Sequence, residues 1–343
     1  MTKTVVDASG PAVLHSRYDV VIVGGSAAGL SAAVALGRAR RSVLVIDAGE
    51  PRNAPAEGVH NFYTRDGTNP FEMIALGRAE AAGYGVQFLE GSAVAAVRTE
   101  AGFDVELASG GAASGRRLLV ATGLVDELPE IPGLQEQWGT GVMHCPYCHG
   151  WEVRDQKIGI LGAGPFSIHQ ALMWRQWSGD ITLFTRDLME PTAEEYEQLA
   201  ARGISVVLGA VTSVDSVDGS LVGVTTADGR RHPATGLVVG AKATARAEVL
   251  LSLGLELSPH PMGEDLGSFV ASGFGGVTAV PGVWAAGNVT DLMAQVITAA
   301  GGGLMAGAAI NADLMAEELA ADVAAYRARA EGHTAVSNEG VLA

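Results

Sequence analysis

The chain has 343 residues, with 22 basic and 38 acidic side chains for a formal charge of −16, two cysteines and 46 glycines. That charge excludes nucleic acid and an anionic membrane surface as partners, because both reward Lys and Arg, and two cysteines exclude a disulfide framework. The length suits about two domains of ~100–200 residues each, and glycine at nearly twice its usual ~7%, without a Gly-x-y period, points to close backbone approach as in nucleotide sites.

Residues 1–17 carry Asp7 and no continuous apolar run, so they read as a leader and not a signal peptide. From Tyr18 a β-rich run enters the turn Gly24-Gly25-Ser26-Ala27-Ala28-Gly29 and then an Ala/Leu-rich helix. A strand, a glycine turn and a helix start together aim N–H groups at a pyrophosphate. Ser26 stands where the dinucleotide fingerprint has its middle glycine, with Gly25 one place earlier. The next strand, SVLVIDA (42–48), ends at Asp47, 18 residues past Gly29, near the ~20 expected for a ribose-binding carboxylate. Ala48, Arg52 and Asn53 follow on an expected cofactor loop, and His60 is a candidate for the same side. Further β-rich segments cover 85–91, 94–100, 103–109 and 116–123. Val94, at the head of one, and Ala121-Thr122-Gly123, at the end of another, are assigned to the cofactor site.

PEIPG (129–133) reads as a linker. Beyond it both cysteines fall in His144-Cys145-Pro146-Tyr147-Cys148-His149-Gly150-Trp151. Zinc normally needs four ligands from two such clusters, and the flanking histidines are poorly spaced, so no metal is assigned. A Cys-x-x-Cys pair suits a readily reduced disulfide, and a lowered thiol pKa makes a good attacking thiolate. Cycling it needs a base near neutral pH: His149 is preferred and His144 is the other candidate. Glutaredoxins share Cys-Pro-Tyr-Cys but place it near the start of a small domain. Here a second strand–turn–helix unit begins nine residues after Cys148. Trp138, Tyr147 and Trp151 are candidate walls of an apolar cleft.

That second unit, KIGILGAGPFSIHQALMW from Lys157, repeats the order of the first. It has Gly162 and Gly164, Ser167 in the third place and bulky Phe166 beside it. After the strand DITLFTR (180–186), Arg186 is the only basic residue where a 2′-phosphate wants a cluster, and Asp187, Glu190, Glu194 and Glu195 follow. A retained fold with a decayed NADPH site is the favoured reading. β-rich segments at 204–210, 221–227 and 235–241 come next, and AKATARAE (241–248) is a candidate return crossing. GVWAAGNV (282–289) runs into Gly287-Asn288, a second nucleotide contact that suits a long, bent cofactor such as FAD. Ala294–Ala312 is uncharged over 19 residues, but it holds Gln295, Thr298, Asn311 and three consecutive glycines. It reads as a buried Gly/Ala-rich helix and not a membrane span, with Gln295 and Val296 beside the cofactor. After Tyr326 the tail reads as frayed helix followed by disorder.

These readings give an α/β fold with two Rossmann-like nucleotide-binding domains, the second inserted in the first. Residues 18–128 and 247–325 form the discontinuous FAD domain around an inserted 129–246, flanked by the leader and a tail over 326–343. A cytoplasmic, soluble protein is expected.

The combination of VVIVGGSAAGLSAA, the ATG, the CxxC just before a second glycine turn, and GVWAAGNVTDLMAQVITAAGGG resembles the low-molecular-weight thioredoxin reductase family over about residues 18–315. The resemblance implies FAD, a homodimer, Cys148 facing the flavin and Cys145 exchanging with substrate. Departures accompany it: His149 replaces an acidic residue, FTRDLMEP replaces an Arg-rich cluster, Gly287-Asn288 replaces Gly-Asp, and Ala294-Gln295 replaces Arg-Gln. CPYCHG with a degraded NADPH motif looks like the small-molecule dithiol oxidases of natural-product pathways. These close disulfides in holomycin- and gliotoxin-type metabolites, with oxygen as acceptor and hydrogen peroxide as product. The PRNAPAEGVHNFYTRDG stretch is similar to bacterial members of that group. The resemblance leaves two alternatives open: an NADPH-dependent reductase of thioredoxin or a thioredoxin-like protein, and a flavin-bound redox sensor or scaffold.

Overall fold

The computed structural model describes residues 17–164 and 166–339, with side chains as far as 329. The rest of the expected leader and residues 340–343 lie outside the described residues. Two parallel sheets organise the chain. In the first, the strands Gln87–Glu90, Val43–Asp47, Tyr18–Val23 and Ala112–Val120 run side by side in that order, and Val283–Ala285 pairs in parallel with Leu118–Val120. The late strand therefore returns to the sheet that the first strand began. Gly102–Leu107 and Ala93–Thr99 extend the sheet as an antiparallel ribbon.

Strand side chains alternate faces, so a strand covered on both sides must be apolar throughout. Val21, Leu44 and Leu118 pack in one core, while Val20, Val43 and Leu119 pack in the other with the helix Ala27–Arg38. The second sheet is wholly parallel, in the order Ser205–Val207, Asp180–Phe184, Lys157–Leu161, Gly236–Val239, Val142–Met143. It splits its apolar residues the same way: Leu161 and Leu237 on one face, Ile160 and Val238 on the other. The mixed α/β class and the two-sheet Rossmann-type architecture are as expected. Between the sheets the chain crosses twice, on Leu124–Glu127 and Lys242–Ala245, and these strands pair antiparallel.

The glycine-rich segment forms the start of one helix, Val296–Glu339, which continues through the helical part of the expected tail as far as Glu339. Gly303 lets this helix meet Ala27–Arg38 backbone to backbone, since a Cβ at 303 would lie 1.9 Å from the Ala28 carbonyl oxygen. Burial is one-sided, which corrects the expectation of a buried helix. Ala306, Ile310 and Leu314 face the core, but Leu304 is 51% and Leu319 64% exposed. Beyond the glycines, Arg116 bridges Asp19, Glu317 and Glu318, and Arg117 bridges Asp313 and Glu317. Hydrogen bonds from Arg41 and Arg116 pull the Glu318 carboxyl down to about 2.

Candidate functional site

A cavity of about 1640 Å³ opens between the two sheets, and both glycine turns and the cysteine pair line it. Its first wall is the turn 24–29. Gly24 sits at φ +102°, and a Cβ there would lie 2.4 Å from the Ala121 carbonyl oxygen. Gly29 lets the helix pack down: a Cβ on it would stand 1.8 Å from the Gly24 oxygen. Its role is thus packing, and it does not line the cavity. The first N–H groups of the helix Ala27–Arg38 have no intrahelical acceptors, and the Ser26 hydroxyl caps none of them. Asp47 accepts the Gly25 N–H at 2.8 Å, which fixes the carboxylate at the turn. This is a phosphate-ready helix start with a carboxylate beside it, so the residues present fit the pyrophosphate and ribose of a dinucleotide.

Ala48, Arg52, Asn53, His60, Ala121, Thr122, Gly123, Gly287, Asn288, Gln295 and Val296 line the same cavity. Val94 is placed apart, 46% exposed. Its neighbour Ala93 takes the lining position, because successive strand residues point to opposite faces. Two assigned residues have other partners. Arg52 holds Asp126 on the crossing strand through two bonds of 2.7 Å. The Asn288 amide donates to the carbonyls of Asp291 and Ala294, both at 2.9 Å, and so fixes the loop before the long helix.

The cysteines sit at one short turn of helix, Pro146–His149, with Cys145 as its N-cap. Proline fits the first helical position because no N–H is needed there. The two sulfurs are 2.6 Å apart, within reach of each other for disulfide chemistry. The Cys145 thiol is pulled down to about 7, first by the hydrogen bond from Cys148, then by backbone N–H donors and the Arg52 charge, against burial. Cys148 is pushed up by that same hydrogen bond, by burial and by the neighbouring thiolate. These influences favour thiolate on Cys145 over thiolate on Cys148.

Both flanking histidines line the cavity. His144 stacks on Trp138, with ring centroids 5.7 Å apart, and burial plus the Arg52 charge hold its imidazole down at about 4. Burial also lowers His149, but Glu152 opposes that shift. His60 lies between two carboxylates, 3.0 Å from Asp66 and 3.6 Å from Glu152. Next to it the Asn61 amide donates to the Tyr147 carbonyl, so the loop after Asn53 touches the cysteine helix. Trp138 and Tyr147 line the cavity, whereas Trp151 is exposed under Arg154, whose guanidinium lies 4.1 Å from its ring.

At the second glycine turn the fittings differ. The Ser167 hydroxyl accepts the Ala163 N–H at 2.9 Å. Arg186 folds back to donate to the Gly162 carbonyl at 3.2 Å. In the sequence, Pro165 takes the place that Ala27 has in the first unit, and proline has no N–H. Phe166, Gln170 and Met173, on the helix that follows, face the cavity. Sequence reading did not single out Gln170 and Met173. Their spacing of four and seven residues from Phe166, one helical face, was the available signal.

Together the fold and the redox pair define a thioredoxin reductase-like oxidoreductase. The pattern of the pyridine nucleotide-disulphide oxidoreductase family matches residues 18–303, and the chain belongs to that family. Membership implies a bound flavin. The solved structure of HlmI is 41% identical, with a TM-score of 0.85, covering 93% of this chain and 99% of its own. Thioredoxin reductase tcpT of Claviceps purpurea (strain 20.1) is 31% identical over 319 residues, 87% of this chain and 95% of its own. A probable thioredoxin reductase of Arthroderma benhamiae is 39% identical over 153 residues, but that match covers only 38% of its length and 43% of this chain.

Proposed function

We propose that the protein is an FAD-dependent dithiol oxidase that closes a disulfide in a small-molecule, natural-product dithiol and passes the electrons to oxygen, giving hydrogen peroxide. The carrying observation is the second glycine turn. Its Ala163 N–H is taken by Ser167, and its Arg186 is turned onto Gly162. NADPH then lacks its pyrophosphate and 2′-phosphate grips, and the cysteine pair becomes the entry for electrons.

In this reading the first turn, Asp47, Ala48, Thr122 and Gly287 hold the FAD, near Asn53, Gln295 and Val296. Bound flavin supplies a two-electron acceptor that oxygen regenerates. His149 takes a proton from the substrate thiol: its imidazole is lowered by burial and by His60, with Glu152 acting the other way, while His144 at about 4 is too weak a base near neutrality. The substrate thiolate attacks Cys145 of the enzyme disulfide, and Cys148 leaves as thiolate. The released Cys148, whose thiol is pushed up by its neighbour and by burial, takes the proton of the second substrate thiol, and that thiolate then attacks the substrate sulfur of the mixed disulfide. The cyclic disulfide departs and Cys145 leaves as thiolate, whose lowered pKa makes it a good leaving group. Two electrons now reside on the cysteines, and closing their disulfide hands them on.

The proposal keeps the domain division drawn from the sequence, with 129–246 inserted. It includes a homodimer, supported by the exposed Leu304, Met305, Met315 and Leu319 on the long helix. It also includes a cytoplasmic location, in keeping with cysteines confined to one redox motif. Among the described residues no helix is long and apolar enough to cross a membrane. Oxygen uptake driven by a small dithiol tests the reading. Wild type is expected to consume oxygen and Cys148→Ser to fall to the enzyme-free rate. Uptake that survives the substitution contradicts it.

A further inference from the structure

A helix of one turn cannot hold itself, because nucleation costs more than its few bonds return. The cysteine helix Pro146–His149 is of that kind, so its place in the cavity depends on what grips it. One grip comes from beside the second sheet. Trp177 takes Tyr147 edge-on at 5.5 Å, and Gly150 sits so close to that indole that a Cβ would lie 2.8 Å from it. The other grip comes from across the cavity. The segment after Asn53 folds into a tight hairpin, in which the Val59 N–H donates to the Thr68 carbonyl at 2.8 Å and the Gly67 N–H to the Val59 carbonyl at 2.9 Å. At its tip Asn61 takes φ +58°, a left-handed conformation that Asn tolerates better than most residues. From there its amide donates to the Tyr147 carbonyl. That carbonyl lies between the two cysteines, at the end of a helix, where carbonyls run out of intrahelical donors. Two further contacts tie the same segment to the cysteine side. His60 Nε2 is 3.6 Å from Glu152, and Pro55 rests on the Gly139 backbone, where a Cβ would lie 2.5 Å from the Pro55 Cβ.

We infer that Asn61 is a positioning residue for the redox pair: it pins the backbone between the two cysteines to the side of the cavity that carries the first glycine turn. The two sheets are joined through the crossing strands Leu124–Glu127 and Lys242–Ala245. Units joined in this way move relative to one another unless a further contact fastens them. Asn61 supplies that contact at the residue between the sulfurs. The inference goes beyond the oxidase reading and does not depend on the direction of electron flow, since either direction needs the sulfurs held in one place relative to the cofactor turn.

Two variants test it. Asn61→Gly keeps the backbone conformation and removes the amide, and Asn61→Asp keeps size and shape but turns the donor into an acceptor. In the holoenzyme, hydrogen exchange of the Cys148, His149 and Gly150 amides is expected to rise about three- to tenfold in both, the weight of one net hydrogen bond. Exchange elsewhere and flavin content are expected to stay at wild-type levels. Bleaching of the flavin by dithiothreitol without air is expected to slow by a similar factor. Iodoacetamide should still alkylate Cys145 of the reduced enzyme within about twofold of the wild-type rate, a split that a merely structural loss would not produce. Unchanged exchange at the cysteine helix overturns the inference. So does a rise spread over the whole chain with loss of flavin, which would make Asn61 a structural residue of the hairpin. An equal fall in bleaching and alkylation also overturns it, by assigning Asn61 to thiol reactivity. If dithiothreitol leaves the wild-type flavin unbleached, the oxidase reading fails by itself, and faster exchange confined to the cysteine helix still upholds this inference.

Discussion

Arg52→Met probes the joint between the cofactor loop and the crossing strand. Arg52 and Asp126 make two bonds of 2.7 Å, with their side chains 24% and 8% exposed. Removing the arginine leaves Asp126 buried without its cation, and breaking a buried pair in this way costs about 3–5 kcal/mol. Arg52 keeps some solvent contact, so the expected loss is at the lower end, about 3 kcal/mol. The cation also favours thiolate on Cys145, so the variant's thiol should titrate higher. Denaturant unfolding of Arg52→Met, Asp126→Leu and the double variant completes a cycle. The double variant should be more stable than Arg52→Met alone, because the orphaned charge is gone. Additive losses from the two single changes would refute the reasoning, since they would show that the pair is not coupled.

The reduced enzyme should be alkylated by iodoacetamide at Cys145 with a rate that rises through a midpoint near 7. The sign follows from the lowered pKa: thiolate predominates above that midpoint, and reactivity is lost as pH falls through it. A midpoint at the ordinary ~8.5 of a free thiol would contradict it. Gly303→Ala should part the two helices, because the new Cβ falls 1.9 Å from the Ala28 oxygen. Overpacking of this kind costs roughly 1–3 kcal/mol. Ala27 and Ala28 line the cofactor wall, so the flavin-to-protein absorbance ratio should drop together with the melting temperature.

What was legible in the sequence was what is local in the chain. Each strand–turn–helix unit lies within about twenty consecutive residues, and the cysteine pair within four, so spacing alone located them. The alternating cores on both faces of the first sheet follow from uninterrupted runs such as Tyr18–Val23. Pairings across long separations were not legible. Arg52 meets Asp126 at 74 positions' distance and Asn61 meets Tyr147 at 86, and neither partner carries a mark of the other. The long helix misled for a related reason. Its Gly/Ala composition reports close packing on one side, at Gly303, but says nothing of the side left open at Leu304 and Met305. Gln170 went unnoticed because a glutamine on a helix is ordinary until its burial is seen.

The central claim, that electrons enter through Cys145 and Cys148 and not through the second glycine turn, is tested most directly by anaerobic mixing. The flavin absorbance of the holoenzyme is followed after addition of either a small dithiol or NADPH. The dithiol is predicted to bleach the band while NADPH leaves it unchanged. Rapid bleaching by NADPH, with no response to the dithiol, would contradict the claim and return the protein to the reductases.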